Sequence, residues 1–168
     1  MRVAVTGTPG TGKTTATERL STALEVIHLN DVVHEQGLTT GHDDRRDTAV
    51  ADLDAVAGWL AGRDDVLFES HLAHNFAADR VVVLRCHPET VETRLAERGE
   101  PDTTVEENAE SEALDVVLVE AVAEHGEDSV YEIDTTDRSP DAVAGEIEAV
   151  VRGEREPAAG TVSFVEYL

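Results

Sequence analysis

At 168 residues the chain is long enough for one compact domain with its own core, and it has no run of about 20 apolar residues to span a bilayer. Its 13 basic and 36 acidic residues leave a net charge of −23, which opposes non-specific binding of nucleic acid through a basic face and implies self-repulsion at low ionic strength. The single cysteine, Cys86, rules out an internal disulfide and fits a reducing cytoplasm; it reads as a small apolar residue at a strand end.

In chain order, Arg2–Thr6 is a short apolar run that stops at Gly7, as a buried parallel strand does, and it lacks the longer apolar run of a secretion signal. Residues 12–24 read as a helix and 26–29 as a second apolar run. Residues 30–35 read as a short helix capped by Asn30, and the polar, Gly-containing stretch 36–47 as a loop. Val50, Leu53, Val56, Ala57 and Leu60 repeat at helical spacing. Residues 66–68 form a strand that ends at Glu69, and 80–84, with Val81-Val82-Val83-Leu84 in line, the most apolar strand. Pro88 and Gly99 punctuate a helix at its two ends. A long helix is expected over 105–124, a strand over Val130–Asp134 and a helix over 139–151, followed by a mixed tail whose Val162, Phe164, Tyr167 and Leu168 suggest packing. This alternation predicts an α/β fold with helices on both faces of a parallel sheet, right-handed connections, and ligands at the carboxyl ends of the strands.

Gly7-Thr8-Pro9-Gly10-Thr11-Gly12-Lys13-Thr14 fits G-x-x-x-x-G-K-[ST], between a strand and a helix as that pattern requires. Glycines let backbone N–H groups turn inward on a phosphate without a Cβ in the way. Lys13 offers a point charge to the β- and γ-phosphates, Thr14 a hydroxyl to magnesium, and Thr15 lies well for the α-phosphate. The other twelve basic residues are all arginine, so Lys13 is the only lysine, kept at this one position. An acidic, lysine-poor composition of this kind belongs to proteins of halophilic type. A guanine-reading Asn-Lys-x-Asp motif is impossible without a second lysine, and the short chain argues against large ATPase modules. What remains is a compact kinase acting with ATP and Mg2+.

The segments 7–15, 30–47, Glu69-Ser70-His71, 81–88, 94–108 and 130–140 together resemble the archaeal adenylate kinases related to the human coilin-interacting nuclear ATPase, over nearly the whole chain. The Glu-x-His after the third strand and Leu84-Arg85-Cys86-His87-Pro88 carry the resemblance more specifically than the phosphate loop does. It implies a three-layer P-loop NTPase fold with a five-stranded parallel sheet, as one kinase domain over 1–168, with a monophosphate-binding insertion at 30–51 and a lid at 98–108. It implies adenylate kinase and ATPase activity in the cytoplasm, with AMP as the first-choice acceptor. It also implies a role in maturing the small ribosomal subunit and its rRNA, through a small-subunit ribosomal protein and without sequence-specific nucleic-acid binding.

Carried onto this chain, the resemblance makes Gly10, Gly12, Lys13, Thr14 and Thr15 the ATP loop. Arg94 and Arg98, one helical turn apart on one face, would lie over adenine and stabilise the transferred charge. Glu69 would hold magnesium with Thr14, through water. His71 would orient an attacking water, or is a packed histidine. Asn30, Asp31, His34, Asp43, Arg45 and Arg46 would face the acceptor, the two arginines being equally readable as solvated loop charges. The chain departs from the family at Glu69, often Asp, and at His34, which eukaryotic members replace with Arg. The alternatives are a ribosome assembly factor switched by ATP, and another small-molecule kinase.

Overall fold

The computed structural model describes residues 1–44 and 48–168. In chain order the elements are β1 (Arg2–Thr6), α1 (Lys13–Thr17), β2 (Glu25–His28), α2 (Leu29–Gln36), β3 (Thr39–Asp43), β4 (Thr48–Ala51), α3 (Leu53–Leu60) and β5 (Val66–Glu69). They continue with β6 (Arg80–Arg85), α4 (Pro88–Glu97), α5 (Asp102–Ala113), α6 (Val116–His125), β7 (Val130–Asp134) and α7 (Pro140–Val151). Five strands form one parallel sheet in the order β2-β5-β1-β6-β7, and β3 and β4 form a separate antiparallel hairpin.

Side-chain alternation along the strands builds the layers. Val3 and Val5 of β1, with Val82 and Leu84 of β6, pack on Ala16 of α1 and on Val143, Ile147 and Val150 of α7. Ala4, Phe68, Val81 and Val83 turn to the opposite face, onto Val56 and Leu60 of α3 and Leu118 and Ala121 of α6. Both faces are therefore covered, which is why the strands read as unbroken apolar runs. Burying a side chain such as Phe68 or Leu84 fully stabilises the fold by about 2 kcal/mol. A third cluster of Cys86, Val91, Leu95 and Val105 joins α4 to α5 just past the end of β6.

Register places the site. Val5 lies opposite Glu69 on β5, and Thr6 opposite Val83 on β6. The loop after Thr6 thus opens at the carboxyl edge of the sheet, between two neighbouring strand ends, where ligands of such folds bind.

Several local expectations are corrected. The first helix ends at Thr17, not 24, because the Thr17 hydroxyl turns back to the carbonyls of Lys13 (2.8 Å) and Thr14 (3.1 Å) and tighter turns follow. The cap of α2 is His28 rather than Asn30. The stretch read as a loop from 36 contains β3, whose Thr39 and Thr40 suit a strand but whose exposure on both faces hides the two-residue period. Val50 belongs to β4; the next helix starts at Leu53, where the Asp52 carboxylate accepts from Ala55 N–H at 3.1 Å. The helix expected over 105–124 is two, broken at Asp115, whose φ of 57° takes it out of the helix while its carboxylate meets Arg85. The tail packs as expected: Ala158 pairs alongside Tyr131, with hydrogen bonds to Val130 and Glu132, and covers part of the exposed edge of β7.

Candidate functional site

The loop between β1 and α1 takes its shape from glycine. Gly7, Gly10 and Gly12 have φ of 149°, 93° and 93°. A Cβ on Gly7 would stand 2.6 Å from the Leu84 carbonyl oxygen, so the main chain passes β6 at a distance only glycine allows. Around this turn Lys13, 8% exposed, donates from Nζ to the carbonyls of Gly7 (2.9 Å) and Thr8 (3.0 Å). Burial pushes its pKa down to about 8 and Arg98 pushes the same way, while Glu69 and Glu112 oppose them.

The Thr14 hydroxyl donates to Glu69 Oε1 at 3.1 Å, and His28 Nδ1 meets the same oxygen at 2.8 Å. Glu69 is buried at the end of β5, whereas Thr14 and Thr15 open to solvent. A hydroxyl and a carboxylate side by side are the hard oxygen donors that magnesium takes, and the glycine turn leaves open the space a polyphosphate needs. The residues present therefore fit ATP with magnesium. His71 is half-buried; burial first, then Lys13 and His74, lower its pKa to about 4, so it is a neutral imidazole at pH 7. His74 is a structural histidine, with Nδ1 at 2.7 Å from Thr6 Oγ1 and Nε2 at 2.8 Å from Glu120.

Beside the loop lies a cavity of about 200 Å³ lined by Thr11, Gly12, Thr15, Arg94, Arg98, Thr135, Arg138 and Pro140. Arg94 donates to the Gly10 carbonyl at 3.0 Å and so braces the loop from α4; Arg98 caps the same helix and is exposed. Thr135 and Arg138 went unassigned in the sequence. The polar run Thr135-Thr136-Asp137-Arg138-Ser139-Pro140 at the carboxyl end of β7 was the available clue, since ligands gather at that edge. Thr135 ties this wall to the loop through Thr11 O at 3.1 Å. His28 also carried no cue in sequence.

The structure thus brings together Gly10, Gly12, Lys13, Thr14, Thr15, Glu69, Arg94 and Arg98. Asn30, Asp31 and His34 lie exposed along α2, and Asp43 is half-buried on β3; none of the four lines the cavity. Arg45 and Arg46 lie outside the described residues.

A phosphate-type loop at the carboxyl end of the central strand of a five-stranded parallel sheet, helices on both faces, defines a P-loop kinase fold. Shikimate kinase from Acinetobacter baumannii shares it, with a TM-score of 0.64 over 92% of this chain and 94% of that one, at 16% identity. The family described as "AAA domain" matches residues 3–115. The chain is 68% identical over 168 residues, all of both chains, to a protein of Natronomonas pharaonis, and 62% identical over 169, again all of both, to one of Halobacterium salinarum. It is 42% identical over 99% of its length to one of Methanothermobacter thermautotrophicus, 98% of which is covered. All three relatives bear the name "Putative adenylate kinase". The chain belongs to the AAA domain family and, within it, to the archaeal group these proteins form.

Proposed function

We propose that the chain is a nucleoside monophosphate kinase of the adenylate kinase type, which moves the γ-phosphate of ATP to AMP. The observation that carries this reading is one phosphate-sized loop joining Lys13 to the Thr14–Glu69 oxygen pair, beside a cavity walled by Arg94, Arg98 and Arg138. The names of the full-length archaeal relatives support it.

Such a transfer needs positioning and charge neutralisation rather than an enzyme nucleophile. Lys13 exchanges the Gly7 and Thr8 carbonyls for the β- and γ-phosphates. Arg94 holds the loop and faces the base, while Arg98 meets the charge that develops on the transferred group. Magnesium, when bound with ATP, neutralises phosphate charge, and Thr14 and Glu69 are the residues that would hold it. Glu69 keeps the Thr14 hydroxyl oriented and is itself fixed by His28. The insertion 30–51 presents Asn30, Asp31, His34 and Asp43 to the acceptor, and residues 98–108 close over the site to exclude water.

His71 favours a second activity. A neutral imidazole near Lys13 can accept a hydrogen bond from an attacking water and orient it, so ATP hydrolysis accompanies transfer. The resemblance to the coilin-interacting nuclear ATPase adds a role in small-subunit maturation, with a basic ribosomal protein as partner for this acidic surface.

The test is a coupled assay of ADP formation in concentrated potassium chloride, with magnesium and ATP alone and then with AMP, CMP, UMP, dAMP or shikimate. ADP release should rise severalfold with AMP and be lost in Lys13→Ala. Release at one rate whatever the acceptor refutes the kinase reading and leaves the ATPase. A rise with shikimate alone makes the chain a kinase of another class.

A further inference from the structure

A buried ionic network lies under the phosphate loop, and the transfer reaction makes no use of it. Arg85, at the end of β6, is 1% exposed; Glu112 on α5 and Glu132 on β7 are 2% and 1% exposed. The guanidinium donates from Nε to Glu112 Oε1 (2.9 Å), from Nη1 to Glu132 Oε2 (2.7 Å) and from Nη2 to Asp115 Oδ1 (2.5 Å). One cation is thus set among three carboxylates. Main-chain and hydroxyl donors take up the remaining oxygens of Glu112 and Glu132, and they belong to two distant parts of the chain.

At one end, Glu112 Oε2 accepts the hydroxyl of Thr8, inside the phosphate loop, at 2.6 Å, and its Oε1 accepts the Cys86 N–H at 3.0 Å. Thr8 is the residue whose carbonyl accepts from Lys13 Nζ, from Thr11 N and from the Thr11 hydroxyl. Whatever holds Thr8 therefore holds the shape of the loop. At the other end, Glu132 Oε1 accepts from Thr161 N (2.7 Å), Thr161 Oγ1 (2.8 Å) and Val162 N (3.1 Å). Two residues on, the Phe164 ring lies 5.4 Å from the Arg85 guanidinium carbon and 5.4 Å from the His87 ring. Tyr167 donates to Glu92 on α4, the helix that carries Arg94 and Arg98.

Such a network is a poor way to gain stability. Desolvating buried charges costs about as much as their attraction returns, and apolar side chains of similar volume do as well or better. What an apolar trio cannot do is hold a hydroxyl in one orientation. We propose that Glu112 is a positioning residue for the phosphate loop, anchored through Arg85 and Glu132 to the C-terminal segment 161–168, so that this segment sets the affinity for the nucleotide. The proposal rests on reading the loop as the ATP site. Glu112 also acts through space, since with Glu69 it favours the charged form of Lys13.

The variants probe both ends of the network. In Glu112→Gln the one remaining oxygen is claimed by Arg85 and Cys86, so an amide NH2 faces Thr8 and the hydroxyl loses its acceptor. Thr8→Val removes the hydroxyl, Thr8→Ser restores it, and Thr161→Val cuts a contact at the far end. ATP dissociation constants come from calorimetry in concentrated potassium chloride, alongside KM for ATP and AMP and the melting temperature. Glu112→Gln and Thr8→Val should each weaken ATP binding by at least about tenfold, the loss of one charge-assisted hydrogen bond, and together no more than Glu112→Gln alone. Thr8→Ser should bind as the parent does, and Thr161→Val about threefold more weakly. KM for AMP should stay unchanged throughout.

Lower melting temperatures with unaltered ATP affinity in Glu112→Gln and Thr161→Val would reduce the network to a fold support and overturn the proposal. So would additive losses in the double variant. If Glu112→Gln fails to fold, the Thr8→Val and Thr8→Ser pair with Thr161→Val still decides. Because binding heat is read apart from turnover, a protein that takes up ATP but phosphorylates no monophosphate sinks the kinase reading and leaves this one to stand or fall by itself.

Discussion

Lys13 is an ammonium held at 8% exposure before any phosphate reaches it, and the unliganded protein bears a cost for that. Its pKa falls from 10.5 to about 8, with burial the largest cause. The unfolded chain therefore binds the proton more tightly than the folded one. The penalty is complete below pH 8 and is relieved as pH rises through the window from 8 to 10.5, where the folded state releases its proton first. Between pH 7 and pH 10 the relief amounts to about 2.5 kcal/mol. Lys13→Met keeps the stem and removes the titration. The assay is guanidinium unfolding of both proteins without nucleotide, at pH 7 and pH 10 and constant salt. The stability difference between them should move by about 2.5 kcal/mol in favour of the parent at the higher pH. A difference that stays within about 0.5 kcal/mol between the two pH values would show that Lys13 is not desolvated in the free protein. The same group makes ATP affinity fall as pH rises above 8, because bound phosphate requires the ammonium.

Gly7→Ala should leave no folded, nucleotide-binding protein, since its Cβ would meet the Leu84 carbonyl at 2.6 Å and Thr11 Oγ1 at 2.8 Å. Gly12→Ala meets nothing nearer than Arg94 Nη1 at 3.6 Å and should lose only the roughly 1–2 kcal/mol of a positive φ, measured as a melting temperature a few degrees lower; the reverse ranking refutes the loop geometry. Arg85→Leu strands Glu112 and Glu132 without their cation and should cost about 3–5 kcal/mol, roughly 10 °C in melting temperature. A change under about 3 °C would mean that the network is not buried as described. Arg138→Ala, in the wall of the cavity where the guanidinium also pairs with Glu146, should raise KM for ATP about fivefold and leave KM for AMP alone; a change in the acceptor constant would place the two substrates the other way round.

The sheet and the phosphate loop were legible because their determinants are local. An apolar strand buried on both faces reads as a continuous run, and the glycine turn before Lys13 carries its own spacing. What escaped depended on partners far along the chain. Nothing near Asp115 announces a helix break; the residue leaves the helix where its carboxylate meets Arg85, 30 positions earlier. His28 shows its connection only when β2 and β5 come into register and place it opposite Glu69. The hairpin of β3 and β4 hid because, among its described side chains, neither face is buried, so the alternation that marks a strand had nothing to select it. In the candidate site, the half contributed by Gly10–Thr15 was readable, whereas the wall formed by Thr135 and Arg138 needed the sheet order to bring β7 beside it.

The sparing use of lysine has a practical sequel. The chain carries one side-chain amine and one terminal amine, and their usual order of acidity is disturbed: Asp64 and Asp65 hold the Met1 ammonium in its charged form, while burial loosens the proton of Lys13. At slightly alkaline pH the amine that gives up its proton more readily is therefore the one in the glycine loop rather than the one at the surface, and an acylating reagent small enough to reach it there would be directed to Lys13. Mass spectrometry of a single adduct would then report occupancy of that loop directly, a built-in footprint that a lysine-rich relative could not offer.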